Sequence, residues 1–323
     1  MTSPETLIQI PVIDFQPFLG QESEAAQRAV SRGIFCACHE IGFFYLTNHG
    51  VPQSLIDQLF DQSKWLFSQP FEEKQKLAWS DAFSNRGYVG VERERLDETK
   101  PGDLKEAFNV GREVPANGSC PTDKAALLVN LFPEGNETFR ETVLTFFDEC
   151  CAAADRILQA FALALQLPQD FFLDSHSDRC NTLRLLHYPP VTAAPKPDQI
   201  RAGEHTDYGS ITLLFQDDVG GLEVQPLNGK WIAAPCISGA VIVNTGDLMQ
   251  RWTNHVFCST RHRVGVPADP RLRKSRYSVA FFCHPNDEAT IACLPTCQSA
   301  EQPALYPPIS AGDYLLSRLQ ATY

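Results

Sequence analysis

The chain has 323 residues, 43% of them hydrophobic and 20% charged, with a formal net charge of −12. That is enough for one large domain or two ordinary ones with a well-buried core, and it argues against disorder. The acidic balance lacks the basic footprint of a nucleic-acid or anionic-membrane surface and says nothing against a small substrate; oligomeric state is left open.

No run of eighteen apolar residues is present to span a membrane. The opening Met1-Thr2-Ser3-Pro4-Glu5-Thr6 lacks a signal-peptide layout. Eleven cysteines form an odd set without a repeating framework, which reads as reduced thiols and a cytoplasmic protein. Cys36 with Cys38, and Cys150 with Cys151, lie in apolar, helix-like sequence and are expected to pack as small hydrophobes.

In chain order, residues 8–15 read as an opening strand, with Pro11 suggesting a sheet edge. Helical spacing runs from Glu24 to His39 and stops at Gly42, and Phe43 to Leu46 is a short strand. His49, in the turn before Gly50, is expected to bond locally. A second helix starts near Pro52, with Leu55, Ile56, Leu59 and Phe60 on one stripe, and a short charged one follows Pro70. Asn85 to Gly102 is polar and glycine-punctuated, a loop over one mouth of the fold in which Arg86 and Tyr88 are candidate substrate contacts. Pro115 to Pro121 reads as a linker, and a long helical pattern fills Asn136 to Gln166. From Thr182 onward come short strands separated by turns such as Val219-Gly220-Gly221-Leu222 and Leu227-Asn228-Gly229-Lys230. Gly246-Asp247 reads as a turn, and Tyr314 to Gln320 as a closing helix. The expected fold is α+β, mainly β: a double-stranded β-helix, or jelly roll, with helical N-terminal support.

The stretch Gly203 to Ser278 concentrates the chemistry. His205 and Asp207 are two apart and would share one strand face. His262 follows in strand-like Ser259-Thr260-Arg261-His262-Arg263-Val264. Two histidines and a carboxylate form the facial ligand set that holds non-haem Fe(II) and leaves coordination positions open. Arg276 and Ser278 also share a face, suiting a guanidinium and a hydroxyl that grip one carboxylate. His187, His255 and His284 lie outside the spacing of this set and are expected to be structural.

These motifs, in this order, resemble the Fe(II)- and 2-oxoglutarate-dependent dioxygenases of the isopenicillin N synthase-like family. The resemblance extends to Ile10-Pro11-Val12-Ile13-Asp14, Gly42-Phe43-Phe44-Tyr45, Asn48-His49-Gly50 and Leu183 to Pro190. Within the family, Arg201 to Ser210, Tyr277 to Asn286 and Arg318 to Tyr323 look similar to fungal thymine dioxygenases. The resemblance implies one dioxygenase unit over 1–323, with an N-terminal region at 1–120 and the Fe(II)/2-oxoglutarate core at 180–290. It implies Fe(II), 2-oxoglutarate and O2 as cofactor and co-substrates, with oxidative decarboxylation to succinate and CO2 coupled to oxidation of a small molecule. By the same similarity Tyr188 joins Arg276 and Ser278 on 2-oxoglutarate. Many plant relatives carry Asn where this chain has Leu186, which points away from plant-like substrates such as flavonoids.

Strand parity extends the site. Phe282 shares the face of Arg276, Ser278 and Ala280; Arg184 and Leu186 share that of Tyr188; Tyr208 follows Asp207 directly. An arginine between aromatics suits a flat, carbonyl-rich ring such as a pyrimidine, or an amino-acid carboxylate. Three alternatives stay open at this point. One is an oxidase that uses no 2-oxoglutarate, and another an ethylene-forming, arginine-oxidising enzyme. The third is a metal-binding sandwich without turnover.

Overall fold

The computed structural model describes residues 9–20, 22–78, 85–95, 100–113, 129–192, 195–267 and 274–322. The expected linker at Pro115 to Pro121 lies outside the described residues.

Helix α1 (Glu24–Glu40) begins where the Ser23 hydroxyl accepts from the Ala26 N–H, and ends where Gly42, at φ +75°, returns its N–H to Ala37 O. A side chain at Gly42 would collide with Cys258 O, so the stop is also a close approach. Helices α2 (Gln53–Phe67) and α3 (Phe71–Lys76) follow, and a 28-residue helix spans Glu137–Ala164 behind an Asn136 cap.

The principal sheet has eight strands in the order β1 (Val12–Asp14), β2 (Phe43–Thr47), β10 (Ala240–Thr245), β7 (Ile211–Gln216), β12 (Arg276–Cys283), β5 (Thr182–Tyr188), β4 (Glu106–Gly111) and β3 (Gly87–Val89). Strand β1 lies at the edge, parallel to β2, while the other pairs are antiparallel. A smaller sheet runs β6 (Ala202–His205), β11 (Arg261–Val264), β8 (Leu222–Gln225) and β9 (Ile232–Ala233). The expected helical and strand region at 1–120 supplies β1 to β4, which build both flanks of the principal sheet.

Alternation along each strand sorts the side chains to two faces. Leu183, Leu185, Leu213, Phe215, Val279 and Phe281 are buried against Phe139, Phe146 and Phe161 of the long helix. Each such aromatic contributes on the order of 2–3 kcal/mol by leaving water. The opposite face carries Leu186, Ile242 and Ala280, which meet Val224 and Val264 of the smaller sheet. A two-sheet core with helices on one outer face is the jelly-roll arrangement. The space between its sheets is incompletely filled, and that gap becomes the site. The expected turn at Gly246-Asp247 is instead the start of a helix, Asp247–Trp252.

Candidate active site

A cavity of about 650 Å³ opens between the sheets. His205, at the end of β6, and His262, on β11, are paired across the smaller sheet. Asp207 lies just beyond β6 in the loop to β7, so a turn rather than shared strand parity brings it to them. Ligand atoms of these three residues lie within 4.8 Å of one another, and no other such cluster occurs among the described residues. The Asp207 Oδ1 is 3.9 Å from His205 Nε2 and 3.7 Å from His262 Nε2.

The surroundings aim those atoms. Nδ1–H of His205 donates to Gly203 O at 2.8 Å, and that of His262 to Thr260 O at 3.1 Å, leaving both Nε2 lone pairs directed inward. Asp207 Oδ2 accepts from Thr212 Oγ1 at 2.6 Å and Asn244 Nδ2 at 2.7 Å, which keeps Oδ1 available. Burial, reinforced by neighbouring His262, pushes His205 down to about 3, so it is neutral and able to ligate. Burial opposes ionisation of Asp207, yet the two histidines, Thr212 and Asn244 outweigh it and hold the carboxyl below its ordinary value. Two imidazoles and one carboxylate fit Fe(II) with open positions.

Further along β12, Arg276 is 1% exposed. Its guanidinium donates to Gln216 Oε1 at 2.9 Å and Ser278 Oγ at 3.2 Å, and lies 4.7 Å from the centre of the Tyr188 ring. Its Nε finds no partner among the described residues. Arg201, completely buried, adds a second cation whose pKa is lowered by burial and then by Arg276. Arg201 does not line the cavity, so Arg276 is the cation placed to meet a carboxylate-bearing co-substrate. Nothing in the local pattern around Arg201 distinguishes it from a solvated strand residue, and sequence reasoning missed it.

Toward the other end, Arg184, Tyr208, Phe282 and Arg86 line the cavity. Arg86 crosses β4 at Gly111, where an added Cβ would come within 1.7 Å of its guanidinium. Tyr88 does not reach the cavity, against the sequence expectation. Gly87, at φ +97°, breaks the alternation after Arg86, and Tyr88 then pairs with Phe108 on the helix-packed face. There its hydroxyl donates to Glu106, which also binds Lys74 at 2.8 Å and His187 at 2.7 Å.

Arg184 is ion-paired with Glu94, and Glu94 lies 3.1 Å from Lys105. Lys105 also pairs with Asp103, whose Oδ1 accepts from the Gly203 N–H at 2.9 Å. Burial alone would lower the Lys105 pKa, but Glu94 and Asp103 outweigh it and raise it. This buried network runs from Arg184 to the residue that orients His205. In sequence, Glu92-Arg93-Glu94-Arg95 looks like a solvated charge run, and no local signal separates Glu94 from it. The C-terminal helix, Ala311–Thr322, contributes Leu315, Leu316 and Leu319 to the wall and stacks Arg318 on Tyr208 at 5.0 Å. His187 and His255 stand outside the cavity, whereas His284 lines it without joining the ligand cluster.

Comparison with known proteins agrees with this geometry. The family model described as non-haem dioxygenase in morphine synthesis N-terminal matches residues 10–135, and that of the 2OG-Fe(II) oxygenase superfamily matches 179–285. A 2-oxoglutarate-Fe(II) type oxidoreductase, hxnY of Emericella nidulans, is 33% identical over 97% of this chain and 90% of its own length. The proline hydroxylase buaE of Petromyces alliaceus is 34% identical over 98% of this chain and all of its own. The thymine 7-hydroxylase of Neurospora crassa, in a crystal structure with alpha-KG and 5-formyluracil, superposes with a TM-score of 0.85 at 36% identity, covering 99% of this chain and 98% of that one. The same enzyme has been solved with alpha-KG and thymine, with a TM-score of 0.84 at 35% identity, covering 100% of this chain and 99% of that one. The chain is an enzyme of the 2-oxoglutarate- and Fe(II)-dependent oxygenases, related to thymine 7-hydroxylase, and uses Fe(II), 2-oxoglutarate and O2.

Proposed function

We propose that this oxygenase oxidises a pyrimidine base such as thymine, with His205, Asp207 and His262 holding Fe(II). In this reading Arg276, Ser278 and Tyr188 hold the far carboxylate of 2-oxoglutarate, while Arg184, Tyr208, Phe282 and Arg86 face the substrate. With both groups bound, iron and 2-oxoglutarate supply oxidative decarboxylation to succinate and CO2, coupled to oxidation of a C–H bond. The protein's own residues supply position. Thr212 and Asn244 fix the Asp207 carboxylate, and Arg276 neutralises the co-substrate.

The observation that carries the reading is the order of residues along the cavity face. Tyr188 pairs with Arg276, Leu186 with Ser278 and Arg184 with Ala280, while Phe282 pairs with Thr182 on one side and Thr212 on the other. Along this single face the carboxylate anchor at Arg276 and Tyr188 is followed by Arg184 opposite Ala280, and then by Phe282 level with Thr212, the support of Asp207. A neutral ring is favoured over an amino-acid carboxylate because Glu94 already balances the Arg184 charge. The Neurospora complexes with thymine and 5-formyluracil support the same choice.

The test is succinate release from 2-oxoglutarate by Fe(II)-loaded protein under air, with thymine, uracil, arginine or no addition, and a His205→Ala control. Thymine-stimulated release that requires His205 is expected. Release indifferent to thymine and uracil would discard the pyrimidine substrate and keep the iron chemistry.

A further inference from the structure

We infer that His284 is a substrate-binding residue, presenting an Nε2–H donor that reads a carbonyl oxygen on the substrate ring. This rests on the pyrimidine reading above. His284 follows β12 two residues after Phe282, and the two rings are nearly parallel, at 13° with centroids 6.4 Å apart. It lines the cavity beside Arg86, Tyr208 and Phe282. Its Nδ1 is sealed from solvent without a partner among the described residues, packed against Gly209 two positions after Asp207. A Cβ at Gly209 would stand 2.5 Å from that nitrogen, so the glycine is what lets the imidazole lie beside the loop that carries Asp207.

The choice of tautomer follows from that packing. A buried N–H without an acceptor loses its hydration with nothing in return, and orphaned buried N–H groups are rare. Nδ1 therefore carries the bare lone pair and Nε2 carries the proton. Nε2, unlike Nδ1, is not a sealed atom and takes part in no hydrogen bond among the described residues, so it is the nitrogen through which the ring would meet the cavity it lines. Burial also pushes this histidine down to about 4, so the ring is neutral at physiological pH and the donor is a single N–H.

The neighbouring polar groups extend the same chemistry. The guanidinium groups of Arg184 and Arg86 are donors only. The same wall carries the carboxylates of Asp287, Glu288 and Asp313 beside these donors and the rings of Tyr208 and Phe282, so it suits a flat molecule with both acceptor oxygens and N–H groups on its edge, as in a pyrimidinedione. It discriminates against analogues in which such an oxygen is replaced by a poorer acceptor.

The experiment measures KM and kcat for thymine, 2-thiothymine and 4-thiothymine in the wild type, His284→Gln and His284→Leu. Thermal melts check that each variant folds. With His284→Leu, KM for thymine should rise on the order of tenfold, the loss expected of one hydrogen bond at the strong end of the range. The preference for thymine over one of the two thio analogues should fall toward unity. His284→Gln, whose amide can still donate, should keep most of both. Thymine kinetics and selectivity unchanged in His284→Leu would overturn the inference and leave the pyrimidine reading standing. Equal impairment in the Gln and Leu variants, with selectivity retained, would make the residue structural and overturn it as well. A wild type indifferent to all three pyrimidines would remove the reading and the inference together.

Discussion

Arg276→Met removes the cation at the end of the cavity while keeping much of the side-chain volume. The wild-type guanidinium is almost fully buried, braced by Gln216 and Ser278 and stacked on Tyr188, so it is pre-positioned to bind a carboxylate at little entropic cost. Hydrogen bonds to charged groups contribute about 1.5–3 kcal/mol each. Loss of a bidentate contact should therefore cost about 3 kcal/mol, on the order of a 100-fold weaker Kd for 2-oxoglutarate. The fold should survive, because Gln216 keeps its bond to Ala234 O at 2.9 Å and Arg201 loses a like-charged neighbour. Arg276→Lys keeps the charge but loses the fork and much of the stacking, and should fall between, at roughly tenfold. Calorimetric titration of 2-oxoglutarate into Mn(II)-loaded protein under anaerobic conditions gives the Kd directly. Binding by Arg276→Met within threefold of wild type, in a protein that melts normally, would refute the reasoning.

Thr212→Val keeps the shape of the side chain and removes one donor to Asp207 Oδ2. Fe(II) affinity should drop roughly tenfold or more, and an unchanged metal titration would sink the orienting role. Lys105→Met leaves Glu94 and Asp103 buried without their shared cation. It should cost about 3–5 kcal/mol in urea unfolding, whereas a loss under 1 kcal/mol would show the network to be dispensable. His176, 2% exposed and bonded to Phe172 O and Ser210 Oγ, is pushed by burial down to about 4. A histidine depressed in the folded state contributes full stability above its unfolded value near 6.5 and loses it as pH falls toward 4. The loss should reach about 3 kcal/mol. His176→Gln should flatten the melting temperature over that window, and an identical acid profile would show that other groups govern it.

The ordered motif His205, Asp207, His262, Arg276 and Ser278 was legible in the sequence, because the required residue types are rare in combination and strand alternation is local. The same alternation correctly set Phe282 with Arg276, and Arg184 with Tyr188, since β12 and β5 are regular throughout. It failed where the backbone departs from a strand. Gly87 turned Tyr88 into the helix-packed core, and Asp207 reached the histidines from a loop. What only tertiary structure decided is the pairing of groups far apart in the chain. Glu94 meets Arg184 across 90 positions, and Asp103 braces Gly203 across 100. Arg201 and Arg276 share one buried region, and His284 faces the cavity instead of solvent. Periodicity records which face a residue takes on its own strand. Whether a charge on that face is solvated or buried against a partner depends on which strands and loops the fold lays beside it, and that is a property of the packed chain.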